Sequence, residues 1–145
     1  MFAFLNQYTH TLDDKSRLTI PADYRQAFLD GLVITCAQEP HLVLFTLPGW
    51  EALTQRFDGK PVFTDPRLAD LRRLIFSNAV PMTLDGHGRI RIPDRLRTHA
   101  QIEGQAVLAG VGDHVEVWSP SLWQEKQEQL KTFPLSDAQE EMLRI

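Results

Sequence analysis

The stretch Thr11–Arg25, TLDDKSRLTIPADYR, returns later in the chain as Thr83–Arg97, TLDGHGRIRIPDRLR. The offset is 72, and Thr, Leu, Asp, Arg, Ile, Pro and Arg stay in register, seven matches in fifteen positions. The likeness runs on at an offset of 73 to 74: LVITCA around Val33 answers AVLAGV around Val107, Phe45 answers Trp118, and Trp50 answers Trp123. The chain is therefore a tandem duplication, and recognising it precedes any local assignment. The first repeat is placed at residues 1–57 and the second at 77–130, with a linking segment at 58–76 and a C-terminal tail at 131–145.

Within each repeat the hydrophobic period sets the elements. Tyr8, His10 and Leu12 alternate with threonines, a polar turn follows at Asp13–Ser16, and Arg17-Leu18-Thr19-Ile20 alternates again, so a hairpin is expected. Pro21 opens a short helical pattern through Phe28, closed by Asp30-Gly31. Strands follow near Leu32–Ala37 and Leu42–Thr46, then a helix from Pro48 to Arg56. The second repeat gives the same order: Val80–Leu84, Arg89–Ile92, a helix from Pro93, strands around Ala106–Val111 and His114–Ser119, and a helix over Ser121–Lys131. In the linking segment, Leu68, Leu71, Leu74 and Ile75 recur at helical spacing, which predicts a helix over Pro66–Asn78. In the tail, Ser136 or Asp137 fits an N-cap. Units of about 50 residues bury too little apolar surface to stand alone, so the strands of the two repeats are expected to interlock in one pseudo-two-fold α+β domain.

Composition bounds the function. The 145 residues are 43% hydrophobic and 23% charged, the make-up of a chain that folds around a core. The uncharged apolar runs are strand-sized, short of the roughly 18 residues of a membrane span, and Met1–Thr11 shows no secretory pattern, so a cytoplasmic protein without a membrane partner is expected. The single Cys36 allows no internal disulfide and reads as a core residue. Five histidines stand at no zinc-like spacing. His10, opposite Met82 in the repeat, suggests an interior or interface position, whereas His41, His99 and His114 read as loop or helix-end residues. There is no Gly-x-Ser-x-Gly, phosphate loop or dinucleotide fingerprint, and Gly110–Asp113 reads as a hairpin turn, so neither an enzyme, a cofactor, a metal nor a small-molecule ligand is expected. Trp50, Trp118 and Trp123 read as packing residues.

The candidate chemistry lies on the outward faces of the repeated strands. Alternation turns Leu18, Ile20, Ile90 and Ile92 one way and leaves Arg17, Thr19, Arg89 and Arg91 on the other, with Lys15 and His87 at matching places in the two turns. Two basic tips related by pseudo-symmetry suit a DNA groove, since arginine forks match guanine O6 and N7. In the alternative reading these are solvated turns in which Asp13 and Asp85, four residues before Arg17 and Arg89, merely pair with them. A net charge of −4 opposes wrapping by nucleic acid, but a reader needs its cations on one surface only.

These residues resemble the MraZ family of bacterial DNA-binding regulators of the division and cell-wall gene cluster. The likeness covers nearly the whole chain: the Met1-Phe2 start, LDxKxRLxIPxxYR in the first repeat, and LDGHGRIRIPDRLR with VEVWSPSLW in the second. It implies a swapped-hairpin β-barrel of the AbrB type, subunits assembled in a ring, autoregulation, and binding to short G-rich direct repeats in a promoter, hence a cytoplasmic, nucleoid-associated protein. Residue by residue, the paired Asp-x-x-x-Arg signature falls on Asp13 with Arg17 and Asp85 with Arg89. Lys15, Arg17 and Arg89 become the leading DNA contacts, with His87 and Arg91 added by position. Two departures stand out. Ser16 replaces a usual glycine, which predicts a tip of different shape, and Phe4 replaces another, which unsettles an N-terminal contact with a neighbouring subunit. The competing reading is a ring-forming assembly protein whose arginines serve subunit contacts.

Overall fold

The computed structural model describes residues 3–60 and 64–144; the Met1-Phe2 start and part of the linking segment lie outside them. Among the described residues, eight strands and six helices follow one another in an α+β fold: β1 (Gln7–Thr11), β2 (Arg17–Thr19), α1 (Ala22–Arg25), β3 (Leu32–Cys36), β4 (Leu42–Thr46), α2 (Leu47–Gln55), α3 (Pro66–Ser77), β5 (Val80–Met82), β6 (Arg89–Arg91), α4 (Asp94–Ala100), β7 (Gln105–Gly110), β8 (His114–Trp118), α5 (Pro120–Leu130) and α6 (Asp137–Met142). A single 3-10 turn, Gln26–Phe28, extends α1.

Six strands form one antiparallel sheet in the order β1-β7-β8-β4-β3-β5, and β2 pairs with β6 in a separate ribbon. The order is a palindrome of the two repeats. The first strand of each repeat leaves its own unit and joins the other: β1 pairs with β7, and β5 pairs with β3. At the centre of the sheet Val43 faces Glu116, and at the centre of the ribbon Leu18 faces Ile90. Both are pairs of repeat-related positions, so one pseudo-dyad runs normal to the ribbon and through the middle of the sheet beneath it.

The expected turn at Asp13–Ser16 is present, closed by an isolated bridge between Leu12 and Leu18. The expected hairpin is not continued, because β1 goes to β7 while β2 goes to β6. Neither is the expected barrel closed. The ribbon strands end at Thr19 and Arg91, two residues before Pro21 and Pro93, which lack the N–H needed to extend a ladder, and the ribbon lies over an open sheet. Pro81 keeps β5 short for the same reason and is confined to the sheet edge.

One core fills the space between sheet and ribbon. Ile34, Leu42, Leu44, Leu108, Val115 and Val117 from the sheet meet Leu18, Ile20, Ile90 and Ile92 from the ribbon, with Leu96 and Phe28 at the sides. Cys36 belongs to it. The opposite sheet face is covered by helices, where Trp50 packs against Phe45 and Trp123 against Trp118. That β3 is buried along its whole length follows from this double cover, and explains its unbroken apolar sequence.

Phe4 also belongs to the core. It is 1% exposed, stacks on Phe28 and meets Tyr24 edge-on, while the Phe4 and Gly112 backbones exchange hydrogen bonds. A Cβ at Gly110 would lie 2.6 Å from the Leu5 nitrogen, so glycine lets the N-terminal segment lie flat there. The phenylalanine thus ties that segment to its own subunit.

His41 lies in the loop before β4 as expected, whereas His114 departs from the loop expectation by standing in a strand. His41 is buried and stacks on Trp118 at 4.5 Å between ring centres, with Nε2 3.3 Å from a Glu116 carboxylate oxygen. His114 opens β8. Burial pushes Glu116 up, but hydrogen bonds from His114, His41 and the Trp118 indole outweigh it and hold the carboxyl well below its usual range. This polar cluster lies at the dyad on the helix-covered face. The linking helix forms as expected over Pro66–Ser77, capped by Asp65, and Ser136 caps α6.

Ile90 is 2% exposed at the ribbon centre. Ile90→Ala should lower the unfolding free energy by about 3 kcal/mol in urea titrations followed by tryptophan fluorescence, whereas the exposed Leu29→Ala should change it by less than about 0.5 kcal/mol. Equal small effects would contradict the ribbon's place over the core.

Candidate nucleic-acid interface

The two turns before β2 and β6 are built alike. In the first, Asp13 Oδ1 accepts the backbone N–H of Lys15 at 3.0 Å and of Arg17 at 2.8 Å, while Oδ2 accepts Arg17 Nε at 2.6 Å. In the second, Asp85 Oδ1 accepts the N–H of His87 and of Arg89, both at 2.9 Å, and Oδ2 accepts Arg89 Nε at 2.9 Å. Backbone bonds close each loop in the same pattern, from Ser16 N–H to Asp13 and from Gly88 N–H to Asp85. The aspartate spacing in the repeat thus encodes a turn in which one carboxylate satisfies two loop amides and orients a guanidinium.

These donors explain the aspartates' acidity. The Arg89 backbone N–H, aided by those of His87 and the guanidinium, holds Asp85 down at about 2 from an ordinary 3.8. Asp13 is lowered by the same set of partners, the Arg17 backbone N–H foremost.

Ser16 has φ 60° and Gly88 φ 73°. The serine therefore adopts the left-handed conformation that its glycine counterpart adopts freely, and the two tips share one shape at some cost in strain. The difference predicted for the first tip is not found. At Gly88 the demand is steric as well: an added Cβ would lie 2.5 Å from Arg25 Nε, which donates to the Ile20 carbonyl at 2.8 Å. Arg25 is absent from the sequence candidates, and the repeat does not reveal its role, because its counterpart Arg97 pairs with Asp94 at 2.6 Å while its Nε has no hydrogen-bond partner among the described residues.

Pairing across the ribbon brings the cations of both repeats onto one surface. Arg17 lies directly opposite Arg91, and Thr19 opposite Arg89, with Leu18 and Ile90 turned into the core between them. Arg89 Nη1 also lies 3.7 Å from Asp13 Oδ2, linking the second strand to the first turn. The separate tips of the sequence reading thus flank one ribbon surface, whose turns also carry Asp13, Asp14 and Asp85. Its members differ in freedom. Arg17 and Arg89 side chains are 33% and 25% exposed and each is held by its aspartate, whereas Lys15, His87 and Arg91 are exposed. Two arginines directly opposite on a sheet repel, so this face carries unfavourable charge that the core beneath it offsets.

A family model described as "MraZ protein, putative antitoxin-like" matches this chain twice, over residues 3–73 and 75–145. The chain belongs to the MraZ family. Among curated relatives, "Transcriptional regulator MraZ" of Herpetosiphon aurantiacus is 42% identical over 121 residues, covering 83% of this chain and 84% of its own. The namesake from Roseiflexus castenholzii is 44% identical over the same shares, and that from Thermomicrobium roseum is 37% identical over 136 residues, 94% and 95% of the two chains. The relatives of this MraZ chain are thus named as regulators of transcription. The double match agrees with the tandem duplication and with the repeat-related pairing of its strands. No helix among the described residues is long and apolar enough to cross a membrane.

Two outcomes check this geometry. Ser16→Gly should stabilise the chain by about 0.5–1 kcal/mol in denaturant titrations by relieving the left-handed serine, and Gly88→Ala should destabilise it. Because Asp85 is more acidic folded than unfolded, its contribution is fully present above about pH 4 and fades as pH falls toward about 2. The stability gap between wild type and Asp85→Asn should therefore narrow over that window; a constant gap would contradict the turn described.

Proposed function

We propose that this MraZ chain is a sequence-specific transcription regulator that binds double-stranded DNA through the β2–β6 ribbon and its two flanking turns. The reading rests most on one observation: Arg17 and Arg91 face each other on an outward surface to which Lys15 and Arg89 add charge, in a chain whose net charge is −4. Concentrating cations there against the overall sign suits a polyanion. Lys15, His87 and Arg91, exposed, supply phosphate and base-edge contacts. Arg17 and Arg89, with Nε engaged by Asp13 and Asp85, present their remaining nitrogens in a fixed orientation, which lowers the ordering cost of a bidentate guanine contact.

The DNA in this proposal is a set of short G-rich direct repeats in the chain's own promoter, and occupancy there controls the division and cell-wall gene cluster. A ribbon this small makes few contacts, so stable binding requires several subunits, which a ring would supply by raising effective concentration. Such a protein works in the cytoplasm at the nucleoid. If about four subunits each neutralise two or three phosphates, the logarithm of affinity should fall against log salt with a slope of roughly −7 to −11.

The second reading is a ring-forming assembly protein whose arginines serve structure. It is favoured by the engagement of Arg17 and Arg89 with their own turns. Arg91 separates the two because it stands outside those turn bonds. In gel shifts with DNA from upstream of the gene, Arg91→Ala should weaken retardation by about 5- to 150-fold, the worth of a bidentate base contact, with an unchanged sedimentation profile. Scrambling the short repeats should abolish the shift. Unaltered DNA binding together with an altered sedimentation profile would favour assembly instead.

A further inference from the structure

Among the described residues, the large hydrophobic side chains left exposed gather at one end of the six-stranded sheet. Leu5 precedes β1, Leu47 follows β4 and Val111 follows β7, and antiparallel pairing brings the start of β1, the end of β4 and the end of β7 together. Close approaches make that end continuous: a Cβ at Gly110 would lie 2.6 Å from the Leu5 nitrogen, and one at Gly49 3.8 Å from the Asp113 carbonyl. Leu29 stands at the margin, beside Arg25 and the second turn, while Asp30 and Asp113 are exposed on the rim. The architecture does not demand apolar residues here. The pseudo-dyad carries this end onto the opposite one, where Ser77, Pro120 and Ala37 answer Leu5, Leu47 and Val111.

The C-terminal segment departs from the same end. Helix α5 begins beyond β8 and runs back across the sheet until Trp123 and Gln127 donate to the Gln7 side chain, at the start of β1, at 2.8 and 3.4 Å. Leu130 follows one turn later. Beyond it Phe133, Met142 and Leu143 are exposed, Met142 to 84%. Among the described residues, the hydrogen bonds of residues 133–144 stay within that segment, the capping box of Ser136 and Gln139 among them. The 6 residues of α6 fall well short of the roughly 12–15 at which an isolated helix becomes even marginal, so α6 needs a surface to lie on.

We infer that the C-terminal segment of one copy covers the end formed by Leu5, Leu47 and Val111 on a second copy, and that the exchange is reciprocal. Area argues for reciprocity. By their fractional exposures, one segment and one such end present on the order of 800 Å² of apolar residue surface, short of the roughly 1,200 Å² at which stable interfaces begin. Two exchanged segments present about twice that, the standard size. Because segment and seat share one end of the chain, a two-fold pairing satisfies both copies at once. Neither surface belongs to the β2–β6 ribbon, so the contact stands whether or not the ribbon binds DNA.

The test is disulfide trapping in the full-length chain. Copies carrying Val111→Cys or Leu47→Cys are mixed with differently tagged copies carrying Met142→Cys under a mild oxidant; the native Cys36 is buried. Linkage between the two kinds of copy should exceed by about tenfold that obtained with Ser77→Cys, which places the thiol at the dyad-related end. In sedimentation, the double variant Phe133→Ser, Met142→Ser should show about half the wild-type particle mass or less, with an unchanged circular dichroism spectrum. Linkage at Val111 and Leu47 no better than at Ser77, linkage only when both cysteines stand in one chain, or a wild-type particle mass in the serine variant would overturn the inference.

Discussion

The contact between Leu18 and Ile90 is the one on which this architecture turns. Each residue sits in a strand of three residues, too short to hold itself in place, and each is the other's counterpart in the duplicated sequence. Side by side they close the core from above, and burying each contributes about 1.5–3 kcal/mol. Neither repeat can make this ribbon alone. The exchange of β1 and β5 between repeats follows the same logic, because a unit of about 50 residues gains its missing surface cover only from its twin.

The constraint carries into the site. Residues on either side of Leu18 and Ile90 must point outward, so arginines from both repeats meet at one surface as soon as the core forms. Arg17 facing Arg91 is a poor choice for stability, and the serine in a left-handed turn is another. Both are departures from local rules of the kind expected where a binding surface is proposed. The aspartates moderate the cost: they neutralise part of the charge, satisfy loop amides and fix two guanidinium planes, leaving Lys15 and Arg91 exposed.

Much of this was legible in the sequence because it is written twice. The repeat located the turns, the buried alternation and the Asp-x-x-x-Arg pairing, and the linking helix followed from leucine spacing. What escaped was partner choice. A polar turn between two alternating runs signals a hairpin whether the runs pair with each other or with another repeat, since strand propensity does not encode the partner. Closure of the barrel depended likewise on where the ribbon ends, two residues before Pro21 and Pro93. His41 is a loop residue as its sequence suggests, but local sequence does not show that Trp118 and Glu116, far along the chain, enclose it. Phe4 was legible only as a departure from family pattern, and its place beside Phe28 and Tyr24 comes from the tertiary fold. The role of Arg25 is hidden in the same way, since its counterpart in the second repeat, Arg97, pairs with Asp94 instead.

The central claim is that both repeats build a single DNA-contacting surface at the ribbon. Photo-crosslinking of the intact protein to upstream duplex DNA carrying reactive thymines, with the attached peptides mapped by mass spectrometry, tests it most directly. Attachment is expected within both the 13–19 and the 85–91 segments in the same complexes. Attachment to only one of these segments, or chiefly to the helices on the far side of the sheet, would contradict it.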